Sequence, residues 1–362
     1  MSASPRFSTA AEPTLAALVD DALGARLETV AHPEDWPEPE PSALHEIPRP
    51  LWDHAIGDVA RDILGRPSRQ FRARLCELAW CLVDGQGQVP SSLPAIVEIL
   101  HAGSLIVDDI EDGSARRRGG PALHIAHGVP RALNTGNWMY FWALALVDDV
   151  PVLRASIRDD LRRALARTLY NCHLGQALDL SIPIGRVPRP WVYRTVATCT
   201  MLKTGALMEL AARMGAIAAG AAPARVEALS RFGRRLGLGL QMLDDFGNLT
   251  APVAETVDSK ALEDLRGERP TWPWALASRE LDAPAFAELQ ADVRALVDGG
   301  DGDGTRARAL AAKLRMAVGL KGRRQAASYL RGALADLQAG VGDRAELALM
   351  SREIERLESS YG

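Results

Sequence analysis

Apolar residues recur at helical spacing along nearly the whole chain from Leu51 onward, and this pattern constrains the fold more than any other feature of the sequence. No stretch shows the alternation of apolar and polar residues that a half-buried β-strand requires. Helix-favouring alanine, leucine and arginine are abundant, whereas aromatic residues make up only 5% of the chain. The sequence therefore predicts an all-α fold.

Glycine- and proline-rich turns divide this pattern into separate predicted helices. These helices span residues 51–64, 69–83, 93–112, 130–146, 151–180, 189–220, 223–249, 271–279, 283–298, 305–317, 321–340 and 343–359. We expect residues 51–362 to form one large domain. Residues 1–50 are expected to form an N-terminal arm, partly disordered, with one helix over Thr14–Val30 and an extended proline-rich segment behind it.

Composition and charge exclude several classes of protein. The net charge of −4 gives no bulk attraction to nucleic acid. No uncharged apolar run reaches the roughly 18 residues that stable membrane insertion needs. The four cysteines lie in apolar helical surroundings without C-x-x-C spacing, which is typical of free thiols in a reducing compartment. We therefore expect a cytoplasmic protein.

Two acidic clusters each follow an apolar helical stretch. The first includes Asp108, Asp109 and Asp112, and the second Asp244 and Asp245. On a helix, residues 108 and 112 lie on one face, where like charges repel and favour a cation. Ligands that offer only oxygen indicate Mg²⁺ before Zn²⁺. Two such helices facing each other would hold metal ions that clamp a phosphate-rich substrate, whereas a single cluster is equally typical of solvated acids at a helix end.

With these clusters the chain resembles the trans-isoprenyl diphosphate synthases, the polyprenyl synthetase family, over about residues 60–275. The motifs that carry the resemblance are D-D-x-x-D at 108–112, D-x-S-x-x-R-R-G at 112–119, G-Q-x-x-D-L at 175–180, K-T at 203–204 and the opening of the second aspartate-rich motif at 241–245. The resemblance implies the isoprenoid synthase fold, a single-domain helical bundle around a central active-site cavity. It also implies a homodimer.

The resemblance implies a Mg²⁺-dependent prenyltransferase that condenses isopentenyl diphosphate head-to-tail with an allylic diphosphate and releases pyrophosphate. Asp108, Asp112 and Asp244 would be direct ligands of Mg²⁺, three ions with substrate bound. Asp109 and Asp245 would act through water or neighbouring groups. The metal would neutralise the charge that develops on the leaving pyrophosphate.

The resemblance also assigns the substrate contacts. Arg117, Lys203 and Gln241 would surround the allylic diphosphate and Thr204 the allylic cation, so that Lys203, Thr204 and Gln241 are the expected catalytic residues. For isopentenyl diphosphate the implied contacts are Arg69, Arg72, His101 and Arg118. Arg69 stands where the family usually has lysine, which keeps the charge but changes the hydrogen-bonding geometry. Arg72 as a solvated helix residue and His101 as a core histidine remain alternatives.

The chain departs from the family pattern behind the second cluster. Asn248 replaces the last aspartate of the motif, which removes one negative charge and is expected to weaken one metal position. The following loop resembles the family's lysine-containing loop with arginine for lysine and one residue missing. Lys260 and Arg269 are the diphosphate contacts that this loop implies.

Product length depends on how far the growing prenyl tail can extend from Asp108. Residues four and five positions before it are Ser104 and Gly103, both small, where short-chain members place bulky aromatic residues. An open pocket floor at this level predicts a C20 product, geranylgeranyl diphosphate, with C15 and C25 as alternatives.

Two other functions remain open. A terpene cyclase of the same superfamily would ionise an allylic diphosphate without a second substrate, and usually carries an N-x-x-x-S-x-x-x-E-type motif that is absent around Asp244. A non-catalytic subunit of a prenyl synthase would usually lose an aspartate motif.

Overall fold

The all-α prediction is confirmed by the computed structural model, which describes residues 15–27, 48–150, 153–250 and 260–360. The α-helices, in chain order, are α1 (Ala17–Leu27), α2 (Arg49–Trp52), α3 (Asp58–Gly65), α4 (Phe71–Leu82), α5 (Ser92–Asp112), α6 (Leu123–His127), α7 (Val129–Leu146), α8 (Ala155–Ser181), α9 (Arg189–Thr200), α10 (Ala206–Ala218), α11 (Pro223–Thr250), α12 (Lys260–Arg266), α13 (Trp272–Glu280), α14 (Ala283–Gly299), α15 (Thr305–Leu314), α16 (Leu320–Val341) and α17 (Ala345–Ser360).

The predicted helices are all present, although three of them contain a π-helical turn. These turns are Asp53–Gly57 between α2 and α3, Met201–Gly205 between α9 and α10, and Arg315–Gly319 between α15 and α16. No helix of the described residues is long and apolar enough to cross a bilayer. The predictions for residues 1–12 and for most of the proline-rich segment fall on residues outside the described part of the chain.

Four short elements, two helices, one hairpin and one 3₁₀ turn, occur in stretches where no regular structure was predicted. Helices α6 and α12 are too short for an apolar period to be recognised. Strands β1 (Arg116–Arg117) and β2 (Gly120–Pro121) form an antiparallel hairpin of two residue pairs. The sequence there shows no alternation of apolar and polar residues from which a strand could be predicted. A 3₁₀ turn covers Ile184–Arg186.

The chain divides into two compact units. The first comprises residues 1–74 and 88–158, and the second residues 75–87 and 159–362. The prediction of a single domain over residues 51–362 stays a prediction.

In the first unit, α5 packs against α7 at a close crossing of two glycines. A Cβ atom added to Gly103 would lie 2.9 Å from the carbonyl oxygen of Gly136 and 2.9 Å from the Cβ of Met139. One added to Gly136 would lie 3.1 Å from the carbonyl oxygen of Gly103. The rest of α5 is held by fully buried aliphatic side chains such as Ile96 and Ile99.

In the second unit, the long helix α11 packs against α10 and α16. Glycines again allow the close approach, since a Cβ added to Gly233 would lie 3.0 Å from the Cα of Glu209 in α10. Gly322 of α16 faces the ring of Phe246, which is itself buried. This packing fixes the end of α11 that carries the second acidic cluster.

Candidate active site

The first acidic cluster occupies the last turn of α5, as predicted. The helix ends because Gly113 adopts a left-handed conformation (φ 65°), and its N–H donates to the carbonyl of Asp109. Asp108 and Asp112 are partly exposed, one turn apart on the same helix, whereas the side chain of Asp109 is 2% exposed. The cluster therefore separates into two accessible carboxylates and a buried one.

Arg117 holds the buried carboxylate. Both Nε, at 2.8 Å, and Nη2 of Arg117 donate to Oδ1 of Asp109, and Nη2 lies 3.6 Å from Oδ2 of Asp108. This supports the predicted indirect role of Asp109, because its carboxylate is already engaged. It also places the Arg117 guanidinium directly beside the accessible cluster, where a diphosphate would be expected.

Positive charges gather around His101 in the middle of α5. Its Nδ1 is buried and has no hydrogen-bond partner among the described residues. Burial, and then the charges of Arg72, Arg118 and Arg117, hold the pKa of His101 well below its ordinary 6.5, so the ring is neutral. The structure thus brings together His101, Arg72 and Arg118 as predicted. Arg69 is exposed before the start of α4.

Buried Glu98 partly balances this positive group. Its Oε1 accepts from the backbone N–H of Ala73 at 3.2 Å, which ties the first turn of α4 to α5. Burial lowers the pKa of Arg118, and the negative charge of Glu98 opposes that lowering. Arg118 also donates from Nη1 to the carbonyl of Ile63 at 3.2 Å. Arg72 and Arg118 thus add positive charge around His101, with Glu98 as a nearby negative group, whereas Arg117 is engaged by Asp109.

The packing around Gly103 gives a second explanation for the absence of a side chain at this position. Its missing side chain is required by the crossing with α7, so a glycine there needs no open pocket floor to explain it. Ser104 is partly exposed and donates to the carbonyl of His101 at 2.8 Å. Of the two predicted chain-length residues, Gly103 lies in the helix crossing, whereas Ser104 is partly exposed.

In the second unit, Asp179 of α8 organises the predicted diphosphate contacts. Lys203 Nζ donates to Oδ2 of Asp179 at 2.7 Å, and Arg269 Nη1 donates to the Asp179 backbone carbonyl at 2.9 Å. The thiol of Cys199 lies 3.6 Å from Oδ1 of Asp179, and burial raises the pKa of this thiol. Lys203 and Arg269 are therefore both held by Asp179, and their roles as diphosphate contacts stay predictions. The side chain of Lys260 lies outside the described residues.

A chain of hydrogen bonds connects Thr204 to the start of α13. The Thr204 hydroxyl donates to Oε1 of Gln241 at 2.8 Å, and Nε2 of Gln241 donates to Oδ1 of Asp245 at 2.8 Å. Oδ2 of Asp245 accepts from the backbone N–H of Trp272 at 2.8 Å. Since its proton is used toward Gln241, the Thr204 oxygen presents lone pairs in its remaining directions.

Asp245 and Asp244 differ strongly in environment. Burial raises the pKa of Asp245 well above its ordinary 3.8, the charge of Asp244 adds to this, and the hydrogen bonds from Trp272 and Gln241 oppose it. Asp244 is partly exposed, and the amide of Asn248 donates to its Oδ2 at 3.3 Å. An aspartate at 248 would repel Asp244, whereas the asparagine binds it. The predicted weakening of a metal position stays a prediction.

The donor set fits Mg²⁺. Among residues 15–27, 48–150, 153–250 and 260–360, no three His, Cys, Asp or Glu side chains form a group that could hold a metal ion by themselves. Mg²⁺ typically takes one or two carboxylates and fills its other positions with water and substrate phosphates. Asp108 and Asp112 offer such a pair of oxygen donors, and Asp244 offers one in its own unit. That the two clusters face each other remains a prediction from the sequence.

Several residues at the site were not predicted. Asp179 was read only as part of a motif, and Glu98, Trp272 and Arg66 were not considered. Arg66 donates from Nη1 to the carbonyls of Arg117 and Pro121, both at 2.8 Å. These contacts join residues that are far apart in the chain, so they cannot be predicted from a local sequence pattern.

The chain is similar to several curated proteins. It is 32% identical over 206 residues to a geranylgeranyl pyrophosphate synthase of Eremothecium gossypii, covering 55% of this chain and 63% of that one. It is 36% identical over 167 residues to a geranylgeranyl diphosphate synthase of Methanosarcina mazei, covering 45% and 49%. The chain thus spans less than two thirds of the length of these relatives.

Among solved structures, the fold is similar to that of a geranylgeranyl pyrophosphate synthase from Corynebacterium glutamicum complexed with isoprenyl diphosphate and magnesium. The TM-score is 0.73 at 21% identity, covering 96% of this chain and 98% of that one. A polyprenyl synthase from Caulobacter crescentus complexed with calcium and isoprenyl diphosphate gives a TM-score of 0.70 at 24% identity, covering 84% and 87%.

The comparison with protein families is more specific. The sequence model described as Polyprenyl synthetase matches residues 53–294, about two thirds of the chain and the part that carries both acidic clusters. The resemblance read from the motifs is confirmed: the chain belongs to the polyprenyl synthetase family.

Proposed function

We propose that the chain condenses isopentenyl diphosphate head-to-tail with an allylic diphosphate, giving a trans-polyprenyl diphosphate and pyrophosphate. The observation that carries this proposal is that Arg72 and Arg118 lie close to His101 on α5, the helix that ends in the first acidic cluster. A second diphosphate substrate needs such a pair of arginines, because charge-assisted hydrogen bonds from arginine suit diphosphate oxygens. A chain that only ionises one allylic diphosphate has no use for it.

The residues of each unit divide the work. Arg72 and Arg118 bind isopentenyl diphosphate, and Lys203 and Arg269, aligned by Asp179, bind oxygens of the allylic diphosphate. The allylic C–O bond breaks and its electron pair leaves with pyrophosphate. The new C–C bond then forms to the isopentenyl double bond, and the proton that the isopentenyl unit loses passes to the released pyrophosphate. The lone pairs of Thr204 stabilise the allylic cation between these steps.

The divalent cation we propose is Mg²⁺, held by Asp108 and Asp112 and by Asp244, three ions with substrate bound. When bound, it neutralises the charge that develops on the leaving pyrophosphate. Two structures of similar fold, from Corynebacterium glutamicum and Caulobacter crescentus, are described as complexes with magnesium and with calcium, which supports a divalent ion.

As product we propose geranylgeranyl diphosphate. Two similar curated proteins are named geranylgeranyl diphosphate synthases, and Ser104, one turn before Asp108, is small and partly exposed. The test is incubation of the purified chain with isopentenyl diphosphate and C5, C10, C15 or C20 allylic primers, followed by product analysis. A C15 or C25 end product would refute the length alone.

The same assay separates the alternatives. A terpene cyclase would convert a single prenyl diphosphate to hydrocarbon without isopentenyl diphosphate. A non-catalytic subunit would form no product by itself. Either result would refute the proposed condensation.

We further propose a cytoplasmic homodimer. In support of a second copy, α7 carries exposed apolar side chains at multiples of four residues, namely Val129, Leu133 and Phe141. In support of a reducing compartment, the four cysteines are free thiols. Light scattering of the purified chain, with Phe141→Ser as a disrupting variant, tests the dimer.

A further inference from the structure

The hairpin that follows the first acidic cluster is too short to be stable without contacts to the rest of the protein. It pairs only Arg116 with Pro121 and Arg117 with Gly120, and a two-stranded hairpin of this kind is marginal in water. Its turn residues Arg118 (φ 48°) and Gly119 (φ 81°) both have positive φ, as in a type I′ turn. Such a conformation is strained for arginine and persists only where the surroundings impose it.

Arg66, just after α3, imposes it. Its Nη1 donates to one carbonyl on each strand, that of Arg117 and that of Pro121, both at 2.8 Å. The side chain is 10% exposed, and a Cβ added to Gly120 would lie 3.0 Å from Nη1. The guanidinium therefore lies directly against the hairpin backbone and bridges its two strands.

A second layer holds Arg66 in turn. Its Nε donates to Oδ1 of Asp62 at 2.7 Å, and Oδ2 of Asp62 lies 2.9 Å from Nε2 of His127. Burial disfavours the charged form of Asp62, but the hydrogen bonds from Arg66 and His127 outweigh it and lower its pKa. The guanidinium group of Arg66 is thus oriented by Asp62 at Nε and by the two strand carbonyls at Nη1.

The hairpin presents two adjacent arginines in two directions. Arg117 reaches Asp109 and lies 3.6 Å from Oδ2 of Asp108, at the accessible carboxylates. Arg118 reaches the carbonyl of Ile63 and joins the positive group around His101. A shift of the backbone at this turn would misplace both guanidinium groups together.

We propose that Arg66 is a positioning residue for both diphosphate sites: by bridging the two strand carbonyls, it fixes the backbone from which Arg117 and Arg118 reach their ligands. This inference rests on the proposed function. Arg66 acts through these two residues, and it does so because its planar guanidinium group binds Asp62 and both carbonyls at once. Lysine would keep the positive charge but could not form this set of hydrogen bonds.

The test compares Arg66→Lys, which keeps the charge, and Arg66→Ala with the unsubstituted chain. We expect Arg66→Lys to raise the KM for isopentenyl diphosphate about tenfold with kcat reduced less, because a displaced anchor weakens binding steeply. Guanidinium ion at millimolar concentration should restore Arg66→Ala, and methylammonium should not. Arg163→Lys, at an exposed arginine of α8 whose guanidinium binds Asp160, is the matched control and should leave KM unchanged.

A second pair of measurements keeps the result independent of turnover and of folding. Binding of inorganic pyrophosphate, followed by titration calorimetry, should be weaker in Arg66→Lys and in Gly120→Ala, whose added methyl group displaces the guanidinium without removing it. Wild-type KM and pyrophosphate binding in both variants would overturn the inference, even if the melting temperature fell. Absence of product from the unsubstituted chain would instead refute the proposed function, and the binding comparison would still decide the role of Arg66.

Discussion

The crossing of α5 and α7 permits a quantitative prediction about Gly103. A Cβ atom there would meet two groups at 2.9 Å, the carbonyl oxygen of Gly136 and the Cβ of Met139. Neither group can rotate away, because one is backbone and the other is bonded directly to it. Overpacking of this kind costs about 1–3 kcal/mol, and we take the upper end for atoms that cannot move.

Part of this cost is offset. Alanine favours a helix interior by about 1 kcal/mol over glycine. The expected net effect of Gly103→Ala is therefore a loss of about 2 kcal/mol in the free energy of unfolding. Gly136→Ala should cost a similar amount, because its Cβ would lie 3.0 Å from Cγ2 of Val107 and 3.1 Å from the carbonyl oxygen of Gly103.

The assay is urea denaturation followed by circular dichroism of the helices. The control is Gly65→Ala at the end of α3, where an added Cβ has nothing within 4 Å and stability should hold or rise. Product length provides a contrast, since Ser104→Phe should shorten the product without a comparable loss of stability. A Gly103→Ala variant that unfolds at the same urea concentration as the parent would refute the packing argument.

Three further predictions concern the two sites. Burial and neighbouring arginines keep His101 neutral in the fold, so only the unfolded chain takes up its proton as the pH falls below about 6.5. Stability should then drop by up to about 1.4 kcal/mol per pH unit, and His101→Gln should remove that slope in urea titrations between pH 7 and 5. Asp245→Ala leaves the N–H of Trp272 and the amide of Gln241 without an acceptor, and should cost about 2 kcal/mol in the same titration. Chelation by EDTA should abolish turnover, and Mg²⁺ with pyrophosphate should raise the melting temperature more than Mg²⁺ alone, because the carboxylates present need substrate oxygens to complete a site.

Each of these has a contradicting outcome. An unchanged pH slope in His101→Gln would mean that another group titrates. Asp245→Ala with full stability would mean that the bond to Trp272 contributes nothing net. A large thermal shift with Mg²⁺ alone would indicate a complete metal cage formed by the protein.

The helices were predictable because their signal accumulates along the chain. In α5, apolar residues at helical spacing, the acidic last turn and Gly113 agree, and the helix ends at Asp112 as predicted. Helix α6 has five residues and the hairpin two pairs, so neither shows a full period. The hairpin is held by contacts such as those of Arg66, which is more than 50 residues away in sequence.

The candidate site divides in the same way. Asp108 and Asp112 were predicted as metal ligands from the acidic pattern, and Lys203 and Gln241 as substrate contacts from the family resemblance. The partners that orient them were not, because Asp179 and Trp272 reach the site from other helices. A short motif indicates the residues expected to contact the substrate, but it does not indicate the residues on other helices that orient them.

By itself, the sequence determined that the chain is helical and that it belongs to one family, and it predicts which carboxylates and cations carry the chemistry. Only the tertiary structure decided what the small residues mean. Gly103 and Ser104 look alike in sequence, yet one is small because another helix backbone lies 2.9 Å from its missing side chain, and the other is partly exposed. Size is a property of a residue, but the space around it is set by parts of the chain that the local sequence does not contain.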